Sequence, residues 1–502
     1  MAVNRYCRGV SISLLVSFCL AAIGRAEAAC KPWVEMQTGQ LRIVSALSES
    51  DTRKMAESIA LFSQVIDSVA SNDLNKTAVP TTLFVMKNAD WPLQSGGVFQ
   101  RGRMSNLMVV PEPADYLQTP YATMLHEYVH FVQMSNGGAD FPPWYTEGLA
   151  EVLSSVLEVG NQVRLGLVFE DRFYPLRDGA WIPLKELLEL TRDSPRVRHG
   201  TDQIFYSMSN VLVHYLMIGN PQRKAQLNAY LAQVTKGVPS AEAFRSAFQV
   251  DIAVLEDELR GYVRQERMKY ITLPRSSFPG AKVKQSGAIS CVQALSETAM
   301  ALTSLRVDQR VIRSKWIERA AREDAQHPAV LMARALSFEA NDETAAADDV
   351  LDKVVQSAAA EPRWKWLAAE AWLERAQRQT RNFNAPPAEA SELATRAAIV
   401  LDATHAGASK DVNALYAVGM SSLLMGGQND RGLSAIAAAS HITPTSADLA
   451  WVGALLSERD NKLAQADELW SVVAWYGQTA QMRNRAIERR KELAEALKAR
   501  KG

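Results

Sequence analysis

The sequence predicts two domains in series: an α+β domain, built of a small sheet and a mainly helical lobe, and then an all-α domain of helical repeats. Three observations carry this expectation. Short β-branched and aromatic runs gather before about residue 115, and helical periodicity takes over from Tyr121. Beyond about residue 290 the chain turns Ala-rich, with paired amphipathic segments recurring about every 34 residues. With 502 residues, the chain has length enough for several domains.

Residues 1–28 come first and read as a secretory signal. Arg5 and Arg8 form a basic start, Val10–Ile23 an apolar stretch, and Ala26-Glu27-Ala28 a small-x-small cleavage pattern. The apolar stretch is too short to span a bilayer, which takes about 20 residues. Cys30 follows Ala28-Ala29, but Glu27 stands where a lipobox wants an apolar residue, so export to the periplasm fits better than a lipid anchor. Removal of the leader takes Cys7 and Cys19 with it and leaves Cys30 and Cys291, a pair that an oxidising compartment permits to bridge. Two separate buried thiols are the other reading. Lys+Arg and Asp+Glu both number 55, so there is no global basic field for nucleic acid or an anionic membrane. Function must come from a local site.

The α+β domain is expected over residues 30–270. A helix is predicted over 51–70, from Met55, Ile59, Phe62, Ile66 and Val69 at helical spacing. Strands are predicted at 81–86, 96–100 and 106–110, the last one stopped by Pro111 and Pro113. Helices follow at 121–135, 144–158, 183–192, 203–218, 222–235, 240–247 and 251–268. Residues 271–289 hold Pro274, Pro279, Gly280 and Gly287 and read as an interdomain linker.

The second domain spans 290–502. His327-Pro328 recurs 34 residues later as Glu361-Pro362. Small residues such as Gly419 and Gly453 stand where helices would cross. This pattern resembles tetratricopeptide repeats, in a degenerate form; a non-repetitive helical bundle is the plainer alternative.

One segment carries chemistry. His126 and His130, in Leu-His-Glu-Tyr-Val-His, lie four apart on a predicted helix, so both imidazoles leave one face and can ligate one Zn²⁺. Glu127 stands beside the first of them, where a general base for an attacking water belongs. A catalytic zinc site needs a third protein ligand, and Glu147 lies one turn and one helix entry further on, within Pro-Pro-Trp-Tyr-Thr-Glu-Gly-Leu-Ala-Glu. Glu151, one helical turn beyond Glu147, suits a carboxylate that holds the N–H of a ligating histidine; a solvent-facing acid is the alternative.

An H-E-x-x-H followed by W-x-x-E-G-x-A-E resembles the gluzincin zinc peptidases, above all exported proteins of the peptidase-MA type with C-terminal helical repeats. The resemblance covers about residues 80–270. It implies a zincin-like domain with His126, His130 and Glu147 as ligands to one Zn²⁺ per chain and Glu127 as catalytic acid/base. The gap between His130 and Glu147 is slightly shorter than in thermolysin-like members.

Tyr206, near the start of helix 203–218, is the candidate donor to the oxyanion, against a core aromatic as the plainer reading. His214 and His199 are rivals, His214 reading better as a core histidine on an apolar run. The strand ending at Val110 is a candidate edge for an extended substrate, with Arg101 and Arg103 before it as carboxylate contacts or simply a solvated turn. The function expected is an exported zinc metallopeptidase acting on peptides or proteins, its repeats docking a partner or substrate. The alternatives are a tetratricopeptide-type scaffold with a vestigial metal site and a zinc hydrolase of a non-peptide substrate.

Overall fold

The computed structural model describes residues 30–39, 41–69, 80–88, 91, 97–101, 106–113, 121–135, 141–168, 170–198, 202–234, 236–280, 283–302, 310–427, 429–477 and 479–499. The expected signal, 1–28, lies outside them, as do Arg103 and His199; of Arg101 only the backbone is described. The fold is mostly helical with a small mixed sheet and a separate three-stranded antiparallel one, an α+β half followed by a helical half.

The chain opens with β1 (Trp33–Thr38), β2 (Leu41–Ser45) and the helix α1 (Glu49–Val69). Next come β3 (Thr81–Met86), β4 (Val98–Arg101) and β5 (Asn106–Pro111). These strands form one sheet in the order β4-β5-β3-β2-β1, in which β2, β3 and β5 run parallel and β1 and β4 are antiparallel to their neighbours. Side chains alternate between its faces. Ile43, Leu83, Val85, Met108 and Val110 enter one core together with α1. Val44, Phe84, Met86 and Val109 enter another. Burial on both sides is why β3 and β5 read as continuous apolar runs.

The lobe after the sheet begins with α2 (Ala122–Ser135) and α3 (Pro143–Leu153). A hairpin of β6 (Leu157–Val159) and β7 (Gln162–Leu165) stands where the helix 144–158 was expected to continue. Then come α4 (Glu170–Arg177), α5 (Leu184–Glu189), α6 (Pro195–Arg198) and α7 (Gln203–His214), which runs into a π-helical turn at Tyr215–Gly219. The lobe ends with α8 (Pro221–Val234), α9 (Ser240–Phe248) and α10 (Ile252–Val263).

The expected linker 271–289 is built into both sheets instead. Its strand β8 (Ile271–Pro274) pairs with β7, and β9 (Lys284–Ile289) extends the main sheet beside β1. Pro274 sits at the end of β8, where no ladder bond is asked of it, so the proline does not break the strand. Cys30 and Cys291 are joined in a disulfide, with Cα atoms 5.6 Å apart, just outside the β1/β9 ladder.

The helical half comprises α11 (Cys291–Ala301), α12 (Arg310–Glu323), α13 (Pro328–Glu339), α14 (Thr344–Gln356), α15 (Pro362–Gln379) and α16 (Ala388–Ala403), then α17 (Val412–Met425), α18 (Asn429–Ile442), α19 (Ala447–Arg459), α20 (Leu463–Tyr476) and α21 (Ala480–Ala499). Pro328 and Pro362 both begin helices, as their spacing predicts. From α13 to α20, each helix packs on the next, and α13, α15, α17 and α19 also touch in succession. Gly419 and Gly453 lie at crossings, where an added Cβ would press on Ile436. The first helices do not stand apart from the sheet. Leu295, Trp316, Ile317 and Val330 fill the core on its second face.

Candidate metal centre

The site lies where α2 and α3 pack together. Val129 and Val132 anchor α2 in the core, which leaves His126 and His130 to emerge from the face turned to α3. Pro143 at the first turn starts α3, needing no N–H there, and sets Glu147 opposite the two imidazoles. A glycine next to Glu147 lets α3 come close to α7: a Cβ on Gly148 would fall 2.2 Å from the Ser209 carbonyl oxygen.

Three atoms converge. The Nε2 atoms of His126 and His130 are 3.0 Å apart, and the Oε2 of Glu147 is 3.3 Å from each. Corners of a tetrahedron with metal bonds of about 2.0–2.1 Å lie about 3.3–3.4 Å apart. The triangle therefore fits three ligands on one small divalent cation to within a few tenths of an ångström. His126, His130 and Glu147 could hold a metal ion.

The charges around them agree with that use. Burial favours the neutral form of Glu147, but His130 and the hydrogen bonds of both imidazoles outweigh it and hold the carboxyl well below its usual range. Burial likewise disfavours a charged His130, yet Glu147 and Glu127 overcome it and lift the imidazole to about 9. A proton there stands in for a cation. Glu127 is also buried, and that burial raises its carboxyl above the ordinary value against the opposing pull of both imidazoles and the Phe99 N–H. Gly97 makes room for it, since a Cβ there would lie 2.8 Å from the Glu127 Cγ.

Glu151 faces the far nitrogen of His126, with Oε1 3.7 Å from Nδ1, and is buried rather than solvent-facing. It is held by Arg172, whose Nε and Nη2 each donate to it at 2.9 Å. The same guanidinium donates to Gln203 and lies 5.9 Å from the Tyr206 ring centroid. Tyr206 is close enough to feel the charges of Glu147, Glu127 and Glu151, and burial together with these carboxylates pushes its hydroxyl well above the usual tyrosine value. Arg172 carries no motif in the sequence, and its bond to Glu151 crosses 21 residues, so no local pattern announces it.

One expectation changes at the sheet, and the reading of His214 as a core histidine holds. The edge of the main sheet on this side is β4, not the strand ending at Val110, since β5 is enclosed between β4 and β3. His214 is a core residue. Its Nε2 lies 2.8 Å from the Gly166 carbonyl and its Nδ1 2.8 Å from the Tyr262 hydroxyl.

Among the described residues no helix is long and apolar enough to cross a membrane. No protein-family model, curated protein or solved structure matches the chain.

Proposed function

We propose that the chain is an exported zinc metallopeptidase of the gluzincin kind: a zincin-like domain followed by a tetratricopeptide-like region that docks a protein partner or substrate. The observation that carries this reading is the convergence of His126, His130 and Glu147 within 3.3 Å of one another, with Glu127 beside them. Export is supported by the leader-like residues 1–28 and by the Cys30–Cys291 disulfide, which belongs in an oxidising compartment.

Zn²⁺ held by His126, His130 and Glu147 would supply Lewis acidity, polarising the scissile carbonyl and making a water more acidic. Glu127 takes the proton of the attacking water and gives it to the leaving amine. A carboxyl raised by burial suits both halves of that task, because its affinity for a proton moves toward the working pH. Tyr206 keeps its proton, as its raised pKa requires, and can donate to the oxyanion. Glu151, clamped by Arg172, orients the His126 ring. The edge strand β4 offers backbone groups for pairing with an extended peptide.

The test is metal content together with hydrolysis of a mixed peptide library by the purified protein lacking residues 1–28. One Zn²⁺ per chain, cleavage that chelation abolishes, and loss of both in His130→Ala are expected. A protein that stays metal-free in added Zn²⁺ overturns the reading. Stoichiometric metal without cleavage of any peptide leaves the centre and removes the peptidase.

A further inference from the structure

Among the described residues, two complementary groups beside the centre are buried and lack a partner. The Nδ1 of His130 has none, and neither does the Oε1 of Gln133, one turn further along the same face of α2. A ring nitrogen that can donate and an amide oxygen that can only accept belong to residues one helical turn apart, each unsatisfied among the described residues. Such pairs are uncommon in folded chains, where buried polar groups are almost always bonded. The other end of the Gln133 amide is already fixed: Nε2 donates to the Thr146 carbonyl at 3.3 Å. Thr146 immediately precedes Glu147 on α3. One of the two amide N–H groups is spent there, and the oxygen remains to be offered as an acceptor.

The two histidines thus differ in what stands behind them. The Nδ1 of His126 faces the carboxylate of Glu151, itself locked by Arg172. Behind His130, among the described residues of α2 and α3, the amide oxygen of Gln133 is a buried side-chain acceptor left without a partner. An imidazole that presents its Nε2 lone pair to a cation must carry its proton on Nδ1, and that N–H needs an acceptor.

We propose that Gln133 is a positioning residue for the metal centre, its amide bridging Thr146 and His130 so that one side chain fixes both the His130 tautomer and the spacing between His130 and Glu147. This rests on the metal-centre reading above. Loading the site draws the Nδ1–H of His130 onto the Gln133 oxygen. The amide then ties α2 to α3 at the two ligands that come from different helices.

Two variants separate the acceptor from the tie. Gln133→Leu keeps the bulk and removes both bonds. Gln133→Glu keeps an oxygen for the His130 N–H but loses the donor to Thr146. Zn²⁺ binding, measured by competition with a chromogenic chelator, is expected to weaken about 10–100-fold in Gln133→Leu and to recover only in part in Gln133→Glu, which keeps the acceptor and loses the tie; full recovery would overturn the bridging role. Circular dichroism and Tm of the metal-free proteins serve as the folding check. In ¹⁵N spectra of the Zn²⁺-loaded wild type, the His130 Nδ1 should carry a hydrogen-bonded proton, which Gln133→Leu shifts or exposes to exchange. Gln133→Leu binding Zn²⁺ within twofold of wild type overturns the proposal, and so does Gln133→Glu losing as much affinity as Gln133→Leu. In either case the wild-type protein still binds Zn²⁺, so the metal-centre reading stands. A wild-type protein that binds no Zn²⁺ overturns both.

Discussion

His214 and the pair His126–His130 flank the same helix: α7 packs on one side of α3 and α2 on another. Their nitrogens are used in opposite ways. His214 is 1% exposed, and both its ring nitrogens are spent on its own surroundings, the Gly166 carbonyl and the Tyr262 hydroxyl. One fixed neutral tautomer satisfies everything there. His126 and His130 instead aim Nε2 at each other and at one carboxylate oxygen, an arrangement that a single neutral tautomer of each ring leaves underused. A shared cation, proton or metal, completes it. What separates a structural histidine from a site histidine here is thus not burial but whether the ring nitrogens are already spent.

The largest effect that tests this contrast is at Glu127. Glu127→Gln keeps the shape of the side chain and its bond to the Phe99 N–H, but cannot accept a proton. If the centre works as proposed, hydrolysis falls by about 10²–10⁴-fold while Zn²⁺ content and Tm stay as in wild type. Glu147→Gln should behave differently, losing metal along with rate. Wild-type turnover in Glu127→Gln, on a peptide the protein cleaves, would remove Glu127 from the chemistry.

The next effect reads the packing that holds Glu147 in place. Alanine is a better helix former than glycine by about 1 kcal/mol. At Gly148 that gain loses to overlap with the Ser209 carbonyl at 2.2 Å, because overpacking against a backbone costs about 1–3 kcal/mol and pushes α3 off α7. Gly148→Ala should lower Tm and weaken Zn²⁺ binding together. Gly261, in α10, has open space where its Cβ would be, so Gly261→Ala should raise stability by up to about 1 kcal/mol and leave the metal alone. Equal shifts in the two variants would show that the α3–α7 contact does not discriminate.

The grouping of His126, His130 and Glu147 is legible because all three follow local rules: two histidines one helical turn apart, and a carboxylate one helix entry later. The bulk of the helices was legible for the same reason. What the sequence hid was non-local. The strands β1 and β2 carry no clear sequence signal, since Trp33–Thr38 mixes buried and half-buried positions without clean alternation. The helix over 144–158 was expected to run on through Ser154 and Ser155, where it in fact stops and a hairpin begins. The stretch 271–289 looked like a linker because its Pro and Gly residues dominate, whereas its strands are recruited by β7 and by β1, the latter about 250 residues upstream. Arg172 was invisible because its role depends on Glu151 being 21 residues away and a helix apart.

The smallest effect sharpens the opening contrast directly, through pH. In the unfolded chain both histidines titrate near about 6.5. Burial lowers His214 below that value, so the folded protein binds fewer protons than the unfolded chain as the medium is acidified. Its contribution is fully present above about pH 6.5 and is lost as pH falls, with a slope of at most about 1.4 kcal/mol per pH unit. His130 has the opposite sign in metal-free protein. Raised to about 9 by Glu147 and Glu127 against the cost of burial, it contributes most below about pH 6.5, and that contribution fades as pH rises toward 9. Tm measured from pH 5 to 9 in the presence of chelator should therefore change in opposite directions for two variants. His214→Gln should flatten the acid side of the profile, and His130→Gln the alkaline side. Saturating Zn²⁺ should abolish the alkaline slope in wild type, since the cation displaces the proton from His130, and leave the His214 slope untouched. Parallel profiles for the two variants would mean that the rings are spent alike, and the distinction between them would fall.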